Sequence, residues 1–254
     1  MGIWDDKARN FASLHRPGDP LILFNVWDSG SARIVADAGA HAIATGSWSV
    51  AAAHGVDDGE ALALDLVLAN ARRICEAVEL PVTVDFEGAY STDPEQAAAN
   101  VAALGDTGAV GCNVEDRIVG GSGLHSIEAQ CARIAAIRVA APAGFFLNAR
   151  TDLFLAVSAV DHPEHLGEAL DRARAYAEAG ANGLFVPGLR DSGLIAEICS
   201  ASPLPVNIMV RPDTPSLARL ADLGVARISH AGAPWRRAMQ GLAEAAAIAH
   251  RREG

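Results

Sequence analysis

Short runs of β-branched and apolar residues alternate along the chain with longer Ala/Leu-rich stretches in which apolar positions recur at helical spacing. Eight runs read as strands: LILFN (21 to 25), HAIAT (41 to 45), PVTVD (81 to 85), AVGCNVE (109 to 115), GFFLNA (144 to 149), NGLFV (182 to 186), PVNIM (205 to 209) and ARIS (226 to 229). A stretch of helical period follows each, at 30 to 38, 59 to 78, 94 to 105, 126 to 140, 164 to 180, 191 to 200, 214 to 223 and 234 to 251. Asp93 before Pro94, Ser126 with Glu128 and Thr214 before Pro215 read as helix starts, and Gly39, Gly108, Gly180 and Gly224 as left-handed caps ahead of the next strand. Eight β-then-α units in 254 residues predict an α/β fold, a (β/α)8 TIM barrel. A doubly wound open sheet is the alternative with the same local pattern. No linker or low-complexity segment interrupts the pattern, so residues 1 to 254 read as one domain. A helix at about 5 to 16 would cross the barrel's bottom, and a C-terminal helix would span about 234 to 251. The connections 46 to 58 and 116 to 125 are long and contain Gly, Ser and His, as mobile active-site loops do.

Composition narrows the partner. Half of the residues are hydrophobic, a fifth are charged, and the net charge is −11 without any Lys/Arg block. This disfavours nucleic acid and anionic membranes and favours a small molecule. Cys75, Cys112, Cys131 and Cys199 have neither CxxC spacing nor a disulfide-framework pattern, and read as reduced thiols. No basic start followed by an apolar leader, and no apolar run of membrane-spanning length, is found, so a cytoplasmic location is expected. Lys7 is the only lysine and lies in a charged stretch, which disfavours Schiff-base chemistry.

In a barrel of this type the active site forms at the C-terminal ends of the strands. This chain places polar groups there: Trp27-Asp28, Thr45-Gly46-Ser47, Asp85 with Glu87, Asn113 with Glu115-Asp116, Arg150 with Asp152, Asn207, and Ser229-His230. In PVTVDFEGAY, Asp85 and Glu87 share a face by strand alternation, and Glu115 arrives from the adjacent strand. Three carboxylates converging in one pocket need compensation, and hard oxygen donors of this kind suit Mg²⁺, with Mn²⁺ as an alternative. The competing reading pairs Glu87 and Glu115 with arginines or leaves them in water. Arg150 offers a planar fork to a substrate carboxylate, or else a salt bridge to Glu115 or Asp152. Backbone N–H groups around Gly46 could meet a second carboxylate.

The motifs ATGSWS, HGVDD, VDFEGAY, CNVEDR and LNARTD, in this order and spacing, resemble the isocitrate lyase/phosphoenolpyruvate mutase superfamily over about Leu21 to Ser229. The resemblance implies a (β/α)8 barrel whose eighth helix is exchanged between subunits, a homo-oligomer (dimer or homotetramer), Mg²⁺, and cleavage or formation of C–C or P–C bonds beside a 2-oxo acid through an enolate. Carried over by motif, Asp85 is the inner metal ligand, with Glu87 and Glu115 acting largely through water, and Asp58 hydrogen-bonds the metal's waters. Arg150 holds the substrate carboxylate, Thr45, Gly46 and Ser47 hold its other end, and Asn113 and Asn207 are further substrate contacts. Trp27 is a candidate pocket wall, with simple packing as its alternative.

Departures from the pattern choose among activities. Lyases of the superfamily carry a KKCGH-like loop whose cysteine protonates the departing carbanion. Here the loop reads RIVGGSGLHS, with Gly123 at the cysteine position and His125 as the remaining candidate acid or a solvated side chain. The lysine-bearing loop of phosphonate enzymes is absent too, a superfamily glutamate after strand six is Gly188, and a metal-site aspartate is Glu87. The expected function is a Mg²⁺-dependent lyase or decarboxylase of a small 2-oxo or 2-hydroxy dicarboxylic acid resembling oxaloacetate. The alternatives are a methylisocitrate-type C–C lyase with a substituted loop acid, a phosphonopyruvate hydrolase, and a non-catalytic 2-oxo acid binding protein.

Overall fold

The computed structural model describes residues 2–250. Eight strands, β1 (Leu21–Leu23), β2 (Ile43–Ala44), β3 (Val82–Asp85), β4 (Gly111–Glu115), β5 (Phe146–Arg150), β6 (Gly183–Phe185), β7 (Val206–Met209) and β8 (Arg227–Ser229), pair in parallel in the order β1-β8-β7-β6-β5-β4-β3-β2. The sheet closes where Val26 bridges to Thr45: Val26 N donates to Ala44 O at 2.8 Å and Gly46 N donates to Val26 O at 3.2 Å. Seven strands fall within their predicted runs, and β5 extends one residue past its run to include Arg150. The open-sheet alternative is thereby excluded, and the fold is the expected (β/α)8 barrel.

The helices are α1 (Ile3–Ser13), α2 (Ser29–Asp37), α3 (Ser47–Ala53), α4 (Leu64–Ala77), α5 (Pro94–Gly105), α6 (Ile127–Ala140), α7 (Leu153–Ala156), α8 (His162–Glu178), α9 (Ser192–Ala201), α10 (Leu217–Asp222) and α11 (Ala233–His250). Three departures from expectation matter for function. The connection 46 to 58 contains α3, whose alanine run SWSVAAA is a helix former. The short α7 follows β5 directly. And α4 begins at Leu64 rather than 59, because Gly59 (φ 91°) and Glu60 (φ 60°) turn left-handed and free an acidic loop. Residue 251 of the predicted last helix, and residues 1 and 252 to 254 of the expected domain, lie outside the described residues.

Strand alternation sorts the side chains. Val84, Cys112, Val114, Leu147, Ala149, Leu184, Ile208 and Ile228 point outward and are buried against the helices. The interior residues are largely polar. Asn148 Nδ2 donates to Asn113 Oδ1 at 2.9 Å and to Asn207 Oδ1 at 3.3 Å, Asn207 Nδ2 donates to Arg227 O at 3.2 Å, and Arg227 Nη2 donates to Asn113 Oδ1 at 3.1 Å. Buried amides of this kind persist because they satisfy one another. At the opposite end, α1 plugs the barrel with Ala8 and Phe11 against Leu21, Leu23, Val110 and Phe146, and His15 stacks on Phe146 with ring centroids 4.0 Å apart. Burial, reinforced by Arg227, pushes the His15 pKa down to about 3, so this ring stays neutral. All four cysteines are free thiols.

The last helix does not cover the barrel. Pro234 is the one buried residue recorded for α11, while Leu242 and Ile248 stand 62% and 68% exposed. The outer face of β1 beside α2 is correspondingly bare: Ile22, Phe24 and Ile34 border an apolar groove of about 560 Å³. Among the described residues no helix is long and apolar enough to cross a membrane.

Candidate active site

The carboxylate of Asp85, at the end of β3, is fixed from two neighbouring elements, β4 and α3. Its Oδ1 accepts from Asn113 Nδ2 at 3.0 Å, and its Oδ2 accepts from Ser47 Oγ at 3.0 Å and Ser47 N at 3.3 Å at the start of α3. Thr45 Oγ1 accepts from the Asp85 backbone N–H at 3.1 Å, so Thr45 orients the strand end rather than facing the cavity. Beyond Asp85 the chain makes a strained turn: Glu87, Ala89 and Tyr90 have φ of 49°, 58° and 58°. Non-glycine residues held in this region cost about 1 kcal/mol or more each and persist only where surrounding contacts impose them. Here Arg133 of α6 imposes them, donating to Gly88 O, to Ser91 O at 3.1 Å and to Glu115 O at 3.2 Å.

The turn aims Glu87 back toward the acidic loop. Glu87 Oε2 accepts from Glu60 N at 2.8 Å, while Glu60 Oε1 accepts from Tyr90 N at 2.7 Å. Burial, with Asp58 and Asp85 adding repulsion, pushes the Glu87 carboxyl up to about 8. Asp58 is likewise raised, by burial and then by Asp85, with the Ser47 hydroxyl opposing. Neither Asp58 nor Glu87 is among the recorded ion pairs of the described residues. Neither carboxyl has a cationic side chain in ion-pair contact, so crowding rather than pairing sets their protonation.

Glu115 differs. Its Oε2 lies 2.9 Å from Arg150 Nη1, and this pairing realises one of the alternatives open from the sequence. Burial pushes Glu115 up and the guanidinium opposes that shift. Arg150 is also gripped by Asp152, with Nε donating to Oδ1 at 2.6 Å and Nη2 to Oδ2 at 2.9 Å, and its Nη1 stands 3.8 Å from Asp85 Oδ1. Three of its N–H groups are thereby engaged, which leaves one on each terminal nitrogen for a ligand.

Ser47, Asp58, Asp85, Asn113 and Arg150 line one cavity of about 180 Å³ whose far wall is apolar, formed by Leu155, Phe185 and Met209. Glu87 meets Asp85 and Ser47 at a smaller void of about 20 Å³, and Glu115 reaches neither space. The convergence of Asp85, Glu87 and Glu115 is thus looser than the sequence suggested, because Arg150 draws Glu115 aside and Asp58 from the loop takes its place beside Asp85. Among the described residues no three His, Cys, Asp or Glu side chains come close enough to chelate an ion by themselves. An ion that touches the protein through one or two carboxylates and keeps most of its water, as Mg²⁺ does, fits this all-oxygen, charge-excess arrangement.

The remaining candidates separate. Gly46 and Ser47 lie at the cavity, whereas Asn207 is buried a layer below it, committed to the interior amide network. Trp27 does not line the cavity. Its backbone is tied to Ser31 and Asn70 beside the Asp28 helix cap, and the aromatic wall is Trp48 instead. His125 belongs to a different space of about 150 Å³, with Glu60, Tyr90, Arg117 and Arg133, and its pKa is lowered by burial and by Arg133. Sequence reasoning missed Glu60, Trp48, Arg211 and Arg227. Only Trp48, inside the quoted ATGSWS motif, carried a visible signal.

The family profile described as phosphoenolpyruvate phosphomutase matches residues 11–250. A solved structure from Burkholderia cenocepacia J2315 with the provisional name phosphonomutase superposes with a TM-score of 0.93 at 49% identity, covering 97% of this chain and 99% of that one. The 2-methylisocitrate lyase of Escherichia coli K12 is 30% identical over 213 residues, 76% of this chain and 70% of its own. The oxaloacetate decarboxylase of Pseudomonas savastanoi pv. phaseolicola 1448A is 27% identical over 240 residues, 91% of this chain and 80% of its own. The chain belongs to the phosphoenolpyruvate phosphomutase family, within the isocitrate lyase/phosphoenolpyruvate mutase superfamily that its motifs resemble.

Proposed function

We propose that the protein is a Mg²⁺-dependent lyase that decarboxylates a small 2-oxo dicarboxylic acid of the oxaloacetate type, with Mn²⁺ as a substitute ion. The observation that carries this reading is the single cavity that Arg150, with N–H groups left over from its Asp152 and Glu115 contacts, lines together with Asp85 and Asp58. The likeness to an oxaloacetate decarboxylase supports it.

Arg150 receives the carboxylate next to the keto group, held in place by Asp152 and Glu115 so that its fork is preorganised. Asp85 would hold the cation, with Asp58 and Glu87 toward its waters, while Glu115 braces Arg150. The ion supplies Lewis-acid polarisation of the keto oxygen. Ser47 and Asn113 keep Asp85 aimed, with Thr45 fixing its backbone. Gly46 starts α3 at the cavity, and Leu155, Phe185 and Met209 keep that side dry. When the bond to the distal carboxylate breaks, its electron pair passes to the carbon beside the keto group, CO₂ departs, and the enolate takes one proton from water to give the 2-oxo monoacid. Departing CO₂ needs no proton. The step is therefore compatible with Gly123 in place of a loop cysteine and with His125 lying in another cavity.

The second reading is methylisocitrate-type C–C cleavage, favoured by the 30% identity to 2-methylisocitrate lyase; it requires the 117–125 loop to bring an acid over the cavity. Incubation with oxaloacetate, 2-methylisocitrate, 2,3-dimethylmalate and phosphonopyruvate, with Mg²⁺ and with chelator, separates the readings. Metal-dependent pyruvate from oxaloacetate alone supports the first. Cleavage of 2-methylisocitrate supports the second, release of phosphate from phosphonopyruvate a hydrolase, and binding without any product a sensor. The bare β1 face and the uncovered apolar residues of α11 further support exchange of that helix between copies in a cytoplasmic homo-oligomer.

A further inference from the structure

The cavity does not end at the wall that carries Asp85. It opens into an outer cavity of about 610 Å³ that shares Trp48, Asp58, Met209, Arg211, Ala231 and Gly232 with the inner one. Two cations border this outer space, Arg211 after β7 and Arg236 in the first turns of α11. Among the described residues neither has a recorded acidic partner, in a chain with a net charge of −11. Both residues are exposed; the Arg211 backbone and the Arg236 guanidinium are held in place. Arg211 sits in a turn closed by its own N–H donating to Thr214 Oγ1 at 2.8 Å and by Thr214 N donating to Arg211 O at 3.0 Å, and the turn is anchored by the Arg190–Asp213 ion pair. The Arg236 guanidinium lies over the Trp48 ring, 5.0 Å from its centroid, and Trp48 is braced edge-on by Trp235 at 5.4 Å. A Cβ at Gly232 would lie 2.5 Å from Trp48 and 3.0 Å from Arg236 Nη1, so this packing demands glycine there.

We infer that Arg211 and Arg236 form a second carboxylate subsite, and that the substrate bears, in addition to the carboxylate lost as CO₂, a terminal carboxylate beyond an apolar spacer. The inference rests on the proposed function, because it places the 2-oxo head at Arg150. Met209, Ala231 and the Trp48 ring lie between the two cationic ends, and they suit a hydrocarbon spacer. A guanidinium held over an aromatic ring keeps its edge N–H groups for a carboxylate.

The test is calorimetric titration, in Mg²⁺ buffer, of the full chain and of its R211Q/R236Q variant. The probes are 2-oxoglutarate and 2-oxoadipate, their uncharged counterparts 2-oxopentanoate and 2-oxohexanoate, and oxalate as a head-only ligand. The unaltered protein is expected to bind at least one ω-carboxylated acid about tenfold more tightly than its uncharged partner, a ratio that falls toward one in the variant. No such preference in the unaltered protein, or one that survives in the variant, overturns the subsite while oxalate binding leaves the head site standing. Failure of oxalate itself to bind removes the proposed function and this inference with it.

Discussion

Replacing Arg227 with methionine tests whether the barrel's interior polar layer serves stability or the site above it. The Arg227 guanidinium is buried inside the barrel, where it donates to Asn113 Oδ1 at 3.1 Å and lies 6.0 Å from the Phe11 ring centroid, and its Nε and Nη1 have no recorded partner. Burial pushes its pKa down from 12.5 to about 10, so the group is charged at neutral pH but disfavoured by about 3 kcal/mol. Methionine removes that burden. It also forfeits a charge-assisted hydrogen bond of about 1.5–3 kcal/mol and a cation–π contact of about 1 kcal/mol. These terms nearly cancel, so R227M should unfold in urea within about 2 kcal/mol of the parent, as apolar replacements of buried charges often do. Asn113, however, loses one of the donors that keep its Oδ1 downward and its Nδ2 on Asp85. Losing such a support behind a ligand typically costs about tenfold in metal affinity, which Mn²⁺ calorimetry would read. Destabilisation by more than about 4 kcal/mol with unchanged Mn²⁺ affinity would refute the reasoning, because Arg227 would then be serving the fold alone.

Arg150→Lys keeps the charge but not the fork that holds Asp152 and still presents N–H groups to a ligand; oxalate affinity should fall by about tenfold to a hundredfold, and an unchanged Kd would remove Arg150 from the binding site. Glu87, raised from 4.5 to about 8, is protonated in the metal-free folded chain but ionised in the unfolded one between those values. Its contribution is therefore complete below 4.5 and lost as pH rises toward 8, so Mg²⁺ should raise the Tm more at pH about 8.5 than at about 5.5; equal shifts would contradict the acid-cluster site. Leu242→Asp with Ile248→Asp, which charges the exposed apolar residues of α11, should lower the particle mass seen by light scattering, and an unaltered mass would rule out helix exchange through this face.

All eight strands were legible because each is a short apolar run between glycine or proline punctuation and helical repeats, a signal that local period carries. The site was legible where a motif lies along one strand, as in Asp85 or Arg150, whose positions follow from alternation once the strand is known. It was not legible where function depends on closure. Arg227 meets Asn113 across 114 positions of sequence, and only the closed barrel brings β8 to face β4. Trp27 illustrates the opposite failure. Its place at a strand end was read correctly, but the Asp28 cap and the Asn70 contact take up the backbone around it, and a wall one strand over is supplied by Trp48.

The left-handed backbone at Glu60, Glu87, Ala89 and Tyr90 joins these observations. A chain that places four such residues around Asp58, Asp85 and Glu87, buries the carboxylates and fastens the turn with Arg133 makes its metal-free fold less stable there than an ordinary turn would be. Repulsion among the acids adds to the cost, because burial and mutual proximity both raise Asp58 and Glu87. A divalent cation reverses only the electrostatic part. Its binding energy should therefore be spent partly on ionising Glu87, with about one proton released per ion bound at neutral pH, and the backbone strain should remain. Mn²⁺ titrations repeated in buffers of different ionisation enthalpy count that proton directly. A release near zero at neutral pH would mean that Glu87 is already ionised without metal and that the crowding of these acids does not drive the site.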